Sequence, residues 1–85
     1  QYCIKLPKTS DRDQVIKHLG ASGVPTAIYY PIPMHQQLPY KSFPKSQCGL
    51  GVTLDCCSRV LALPMHPYLD ETQQQHIAKE LRNAL

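Results

Sequence analysis

Polar and apolar residues alternate through the first six positions, with Tyr2, Ile4 and Leu6 directed one way and Cys3 and Lys5 the other. A period of two predicts a strand with one buried face, and Pro7 closes it. The period then lengthens. Val15, Ile16 and Leu19 fall on one stripe at helical spacing, while Arg12, Lys17 and His18 lie mainly off it, so a helix packing on a sheet is expected. Ser10 is placed to cap that helix by accepting a hydrogen bond from the amide of Asp13. Asp11 and Asp13 then occupy the first turn, where the helix dipole favours negative charge. Gly20 weakens the last turn, Gly23 suits the left-handed position that ends a helix, and Pro25 forbids continuation.

Val24 to Tyr30 is enriched in β-branched and aromatic residues and reads as a second strand. Beyond it, Pro31, Pro33, Pro39, Pro44, Gly49 and Gly51 break any long regular element, which predicts an extended ordered loop. Loops of this length in a compact domain are usually functional or disordered. Here Ile32, Met34, Leu38, Tyr40 and Phe43 favour function, because a disordered linker would not carry so many groups seeking burial.

Val52 to Ser58 can form a short helix, and the apolar run Val60 to Leu63 suits a buried central strand that Pro64 and Pro67 end. The final segment opens on Asp70 with Gln73 three residues later, a variant of the capping box, and carries Ile77, Leu81 and Leu85 at spacings of four. The elements add up to an α+β fold over residues 1–85: a small, mostly antiparallel sheet with helices on one face.

Composition narrows the function. An 85-residue chain with 42% hydrophobic and 18% charged residues is long enough for one modest core. Its formal charge is +3, but the nine Lys and Arg residues are dispersed and the aromatics neighbour prolines rather than basic residues. That argues against a nucleic-acid partner. No apolar stretch reaches the ~20 residues that cross a bilayer, and no signal-peptide pattern opens the chain, so a cytoplasmic protein without a membrane partner is expected. The start at Gln1, with the alternation already under way, suggests a piece of a longer protein. Cys3, Cys48, Cys56 and Cys57 include only a vicinal close pair and no zinc spacing with His18, His35, His66 or His76. Reduced cysteines packed as small hydrophobes are expected, with no metal.

Two segments carry a more specific signal: AIYYPIPMHQQLPY from Ala27, after the helix end HLGASGVPT, and RVLALPMHPYL from Arg59, before DETQQQ. Together, and in this order, they resemble the C-terminal region of the DegT/DnrJ/EryC1/StrS family of sugar aminotransferases. The resemblance runs from the first strand to the last helix. It implies the small domain of a fold-type-I enzyme whose large domain holds pyridoxal phosphate as a Schiff base with a lysine. It also implies a homodimer, and transfer of an amino group, usually from glutamate, to a keto group on a nucleotide-sugar. No lysine here matches the family's Schiff-base context, since Lys41 and Lys45 follow the Tyr-Pro segment that the family's lysine precedes. The fragment is therefore expected to hold neither a catalytic nor a cofactor-binding residue and to be inactive alone.

Candidate substrate-binding residues are Tyr29, Tyr30 and His35. The tyrosines stand where a strand enters the loop and can offer a phenol to a sugar hydroxyl or a phosphate oxygen. Many relatives have His-Tyr at this pair, so Tyr30 carries over better than Tyr29, which can equally be one of two tyrosines straddling a sheet. His35 sits between prolines in a stiff segment and can either donate to substrate or pin the loop. His66, between Pro64 and Pro67, is better suited to stabilising a turn, and His18 and His76 read as surface residues of helices. Two rival functions remain: a non-catalytic module binding a small molecule or peptide through the Pro-rich loop, and a metal or thiol site combining Cys48, Cys56 and Cys57 with His35 or His66.

Overall fold

The computed structural model describes all residues from Gln1 to Leu85. Along the chain run β1 (Tyr2–Lys5), α1 (Arg12–Ala21), two single 3-10 turns (Met34–Gln36 and Leu38–Tyr40), α2 (Gly51–Arg59), β2 (Val60–Leu63) and α3 (Glu71–Ala84). β1 and β2 pair antiparallel in the register Tyr2↔Leu63 to Lys5↔Val60. Because strand side chains alternate, this register puts Ile4, Leu6, Leu61 and Leu63 on one face. α1 and α3 lie on that face: Leu6, Val15, Leu19, Val24 and Leu61 form the buried cluster, with Ile16, Ile77, Leu81 and Ala84 packed against it. An α+β sheet with its helices on one face is what the hydrophobic pattern implied.

The segment Val24 to Tyr30 is not the full second strand its composition suggested. Only Ala27 pairs, exchanging both main-chain hydrogen bonds with Ala62 at 3.2 and 2.8 Å. Pro25 has no amide to donate, and Pro31 bends the chain away, so the pairing cannot extend in either direction. This single pair still leaves β2 central, flanked by β1 and by Ala27.

The start of α1 also differs from expectation. Asp11 is the cap, its carboxylate accepting from the amides of Asp13 (2.9 Å) and Gln14 (3.3 Å). Ser10 is used one residue earlier, its amide closing a turn onto the Pro7 carbonyl at 3.1 Å. Gly23 takes the left-handed conformation after α1, with φ of 75°. At α3 the capping box forms as anticipated, Asp70 accepting from the Gln73 amide and the Gln73 side chain accepting from the Asp70 amide. Leu85, beyond the last helical residue, is exposed rather than part of the stripe.

Residues 31–59 depart from the compact part. Every residue from 38 to 49 is exposed, and α2 has no buried residue. The radius of gyration, 15.4 Å, exceeds the ~12 Å of a compact domain of this length. The Pro-rich segment and α2 form an arm standing off a two-helix, two-strand core. The cysteines are free, but none is buried, so they do not pack as core hydrophobes: Cys3 and Cys48 are exposed, Cys56 and Cys57 half-buried along α2.

Candidate functional site

Tyr29 and Tyr30 lie just past the Ala27–Ala62 pair, where the chain leaves the core. Their rings meet edge to face with centroids 5.6 Å apart at 65°, and they are 43% and 67% exposed. Tyr29 also lines a shallow crevice of about 310 Å³ with Pro25, Thr26, Leu63 and Met65. The phenols are thus presented from the edge of the paired region, not straddling a sheet, because no strand continues beneath them. His35 follows in the first 3-10 turn, after the buried Pro33, and its half-buried ring makes no hydrogen bond within the chain. A hydrogen bond from Gln37 Nε2 to the Ile32 carbonyl (3.1 Å) braces this turn. The structure therefore brings the two tyrosines together and leaves the imidazole of His35 unengaged.

The other histidines have structural duties. His66 Nδ1 accepts from the Tyr68 amide at 3.2 Å, and the His66 carbonyl accepts from the Leu69 amide at 3.2 Å, so this residue stabilises the turn at 66–69. His18 and His76 are exposed, yet each reaches across to a neighbouring element. His18 Nε2 lies 3.2 Å from the Glu80 carboxylate and His76 Nε2 lies 2.9 Å from the Ser22 carbonyl. Ser22 Oγ also donates to Glu80 at 3.0 Å. This clasp between α1 and α3 holds the Glu80 carboxyl below the ordinary carboxylate range, through the Ser22 hydrogen bond first and the His18 ring second.

Two arginines absent from the sequence-based site do comparable work for the arm. Arg12 Nη1 donates to the carbonyls of Cys57 (2.6 Å) and Val60 (3.3 Å). Arg59 forms a two-pronged pair with Asp55 and donates from Nη1 to the Leu6 carbonyl at 2.7 Å. The Arg59 hydrogen bond draws the Asp55 carboxyl below its usual range, and Lys5 adds a charge at 3.8 Å. No group of three or more His, Cys, Asp or Glu side chains gathers in a form that could hold a metal ion.

A sequence profile of the DegT/DnrJ/EryC1/StrS aminotransferase family matches residues 1–82. The chain belongs to this family of aminotransferases. Among similar proteins is the UDP-N-acetyl-3-dehydro-alpha-D-glucosamine 3-aminotransferase of Acidithiobacillus ferrooxidans, 41% identical over 85 residues, which cover all of this chain and 22% of that protein. The UDP-2-acetamido-2-deoxy-3-oxo-D-glucuronate aminotransferase of Pseudomonas aeruginosa is 37% identical, over 98% of this chain and 21% of its own. In three dimensions the chain superposes on the crystal structure of a DegT DnrJ EryC1 StrS aminotransferase from Brucella abortus. That match has a TM-score of 0.88 and 41% identity, over 98% of this chain and 21% of that one. The chain thus spans about a fifth of the length of these relatives. The alternative of a stand-alone binding module finds no support in them.

The residues present do not fit pyridoxal phosphate. All six lysines, at positions 5, 8, 17, 41, 45 and 79, are exposed. None lines the three main crevices of the core, whose polar side chains come from His, Gln, Thr and Tyr. A Schiff-base lysine needs enclosure to lower its pKa and exclude water, and this DegT/DnrJ/EryC1/StrS segment offers none. No helix is long and apolar enough to cross a membrane.

Proposed function

We propose that residues 1–85 are the small C-terminal domain of a pyridoxal-phosphate-dependent aminotransferase that moves an amino group, taken from glutamate, to a keto group on a nucleotide-linked sugar. The observation that carries this reading is the family match over residues 1–82, together with 41% identity to an enzyme named for amination of a UDP-linked 3-dehydro sugar. In this reading the cofactor sits on residues outside the segment, the enzyme is a cytoplasmic homodimer, and the segment serves binding rather than bond-making.

Tyr30, Tyr29 and His35 are the substrate contacts of the proposal. Two exposed phenols offer hydroxyls that donate to or accept from sugar hydroxyls and donate to phosphate oxygens, while their rings cover apolar sugar faces. His35, with no partner inside the chain, has a ring nitrogen to donate, and Pro33 stiffens its support. Such contacts orient the acceptor and exclude water from it; the cofactor supplies the electron sink.

The test is expression of the full-length polypeptide with glutamate and either a UDP-linked 3-keto sugar or a dTDP-linked 4-keto sugar. Formation of the amino sugar with conversion of glutamate to 2-oxoglutarate is expected, along with the absorbance of a bound pyridoxal group. Absence of amination with both acceptor classes, in protein that carries the cofactor, would refute it. The 85 residues alone are expected to give neither signal; a pyridoxal absorbance shift abolished by mutating Lys41 or Lys45 would overturn that expectation.

A further inference from the structure

α2 lacks the support that holds the other helices. It adds nothing to the buried cluster, and its own apolar residues Val52 (79% exposed) and Leu54 face solvent. Direct connection to β2 fixes where the helix ends but not the direction in which it points. Direction is set by polar contacts at its C-terminal end, and one of them comes from α1. Arg12 spans a sequence separation of 45 and 48 residues to reach the carbonyls of Cys57 and Val60.

The placement of Arg12 is hard to explain from α1. As the first residue of that helix its positive charge opposes the helix's own dipole. Its Nε is enclosed without a hydrogen-bond partner, an arrangement that costs stability unless other bonds of the same group offset it. Both features make sense from α2. The last carbonyls of a helix have no partners within it and carry partial negative charge, which a guanidinium from a neighbouring element matches in charge and geometry.

We propose that Arg12 is a positioning residue for the arm: its guanidinium latches the C-terminal end of α2 to α1 and thereby sets the direction in which residues 31–50, including His35, are presented. The latch stands on its own geometry, whereas its consequence for catalysis rests on the reading of His35 and its neighbours as substrate contacts. The arm has two roots, the Ala27 pair upstream and α2 downstream, and a single paired residue acts as a pivot. Orientation therefore depends on the second root, where the contacts of Arg59 with Leu6 and of Asp55 with Lys5 hold one side and Arg12 holds the other.

Hydrogen exchange read by mass spectrometry on the full-length polypeptide tests this, comparing Arg12→Met, Arg12→Lys and His18→Ala. Methionine keeps the bulk and removes the donors. Exchange in peptides covering 51–59 is expected to accelerate about tenfold in Arg12→Met, with α1 and α3 changed by less than about twofold. Arg12→Lys, with a point charge in place of a fork, should show the same local pattern at smaller amplitude. His18→Ala, which breaks a contact to α3 only, should leave α2 unchanged. In the amination assay Arg12→Met should raise the KM for the keto sugar about tenfold with kcat nearly constant. Unchanged exchange in α2 overturns the latch, and so does equal acceleration of α1, α2 and α3, which would make Arg12 a general stability residue. If Arg12→Met does not fold, the lysine variant decides by the same pattern. If the full-length protein aminates nothing, exchange still decides on the latch and only the functional reading falls.

Discussion

The core and the arm of this chain are built on opposite principles. In the core, five side chains from the residue after β1, from α1, from the segment after α1 and from β2 are almost wholly removed from water, and position follows from packing. In the arm, Ile32, Met34, Leu38 and Phe43 are exposed and position follows from a few hydrogen bonds and guanidinium contacts. Stability and presentation of candidate binding groups are therefore separable here. A domain that folds on one region can offer the other, with its apolar side chains uncovered, to substrate or to the remainder of a longer enzyme.

The sharpest way to break that comparison is to make the same change in both regions. Leu19→Ala removes a side chain that is 0% exposed and should cost about 2–5 kcal/mol in urea or thermal unfolding. Leu38→Ala removes one that is 85% exposed and should change stability by less than about 0.5 kcal/mol. If Leu38→Ala is as damaging as Leu19→Ala, the arm is part of the core.

Next in size are changes at the candidate contacts. In the full-length enzyme, Tyr30→Phe and His35→Ala should each raise the KM for the keto sugar about tenfold, equivalent to ~1.4 kcal/mol, while leaving the melting temperature unchanged. Tyr29→Phe should have the weaker effect of the tyrosine pair. A loss of stability without a change in KM would return these residues to a structural role.

How far the sequence foretold this division depends on the range of the forces involved. α3 was legible almost to the residue, because the Asp70–Gln73 box is chemistry between residues three apart. The start of α1 was off by one because Ser10 and Asp11 are both good caps, and a turn bond from the Ser10 amide to Pro7 decided between them. The missing strand at 24–30 shows the limit of composition: Val24, Ile28 and Tyr29 favour a strand, but pairing is a property of the partner, and only Ala27 meets one. Of the candidate site, the adjacency of Tyr29 and Tyr30 and the loop setting of His35 were readable. The roles of Arg12 and Arg59 were not, since they arise from contacts 45 and 53 residues away that no local pattern announces.

A second matched pair concerns backbone geometry. Gly23 and Gly49 both have φ of 75°, with open space where a Cβ would stand, so alanine meets the same left-handed penalty at each and no steric clash. That penalty is about 1–2 kcal/mol. At Gly23 it should appear in global unfolding, because the turn positions Val24 in the core and the Val24 amide bonds to the Leu19 carbonyl at 2.8 Å. At Gly49 the arm should absorb it locally, with faster exchange around residues 46–50 and no change in melting temperature.

Acidification gives the smallest and most selective test. Glu80 and Asp55 both have carboxyls held below their ordinary values of 4.5 and 3.8, the first by Ser22 and then His18, the second by Arg59. A lowered folded value means the unfolded chain binds the extra proton more readily. Each group therefore contributes stability above its ordinary value, and that contribution disappears as pH falls through the lowered one. For the chain as a whole, melting temperature should decline below pH 4.5. The two carboxylates serve different regions, however. Glu80 joins α1 to α3, so Glu80→Gln should lower the melting temperature at pH 7 and flatten the acid decline. Asp55 braces Arg59 within the arm, whose other bond to Leu6 does not require the carboxylate. Asp55→Asn should leave the melting curve nearly unchanged and instead speed amide exchange in α2. The Asp55 side chain is 33% exposed and that of Glu80 15%, so salt should shrink the Asp55 effect more. If Asp55→Asn shifts melting as much as Glu80→Gln, the arm is coupled to the core through its charges even though it is not coupled through packing.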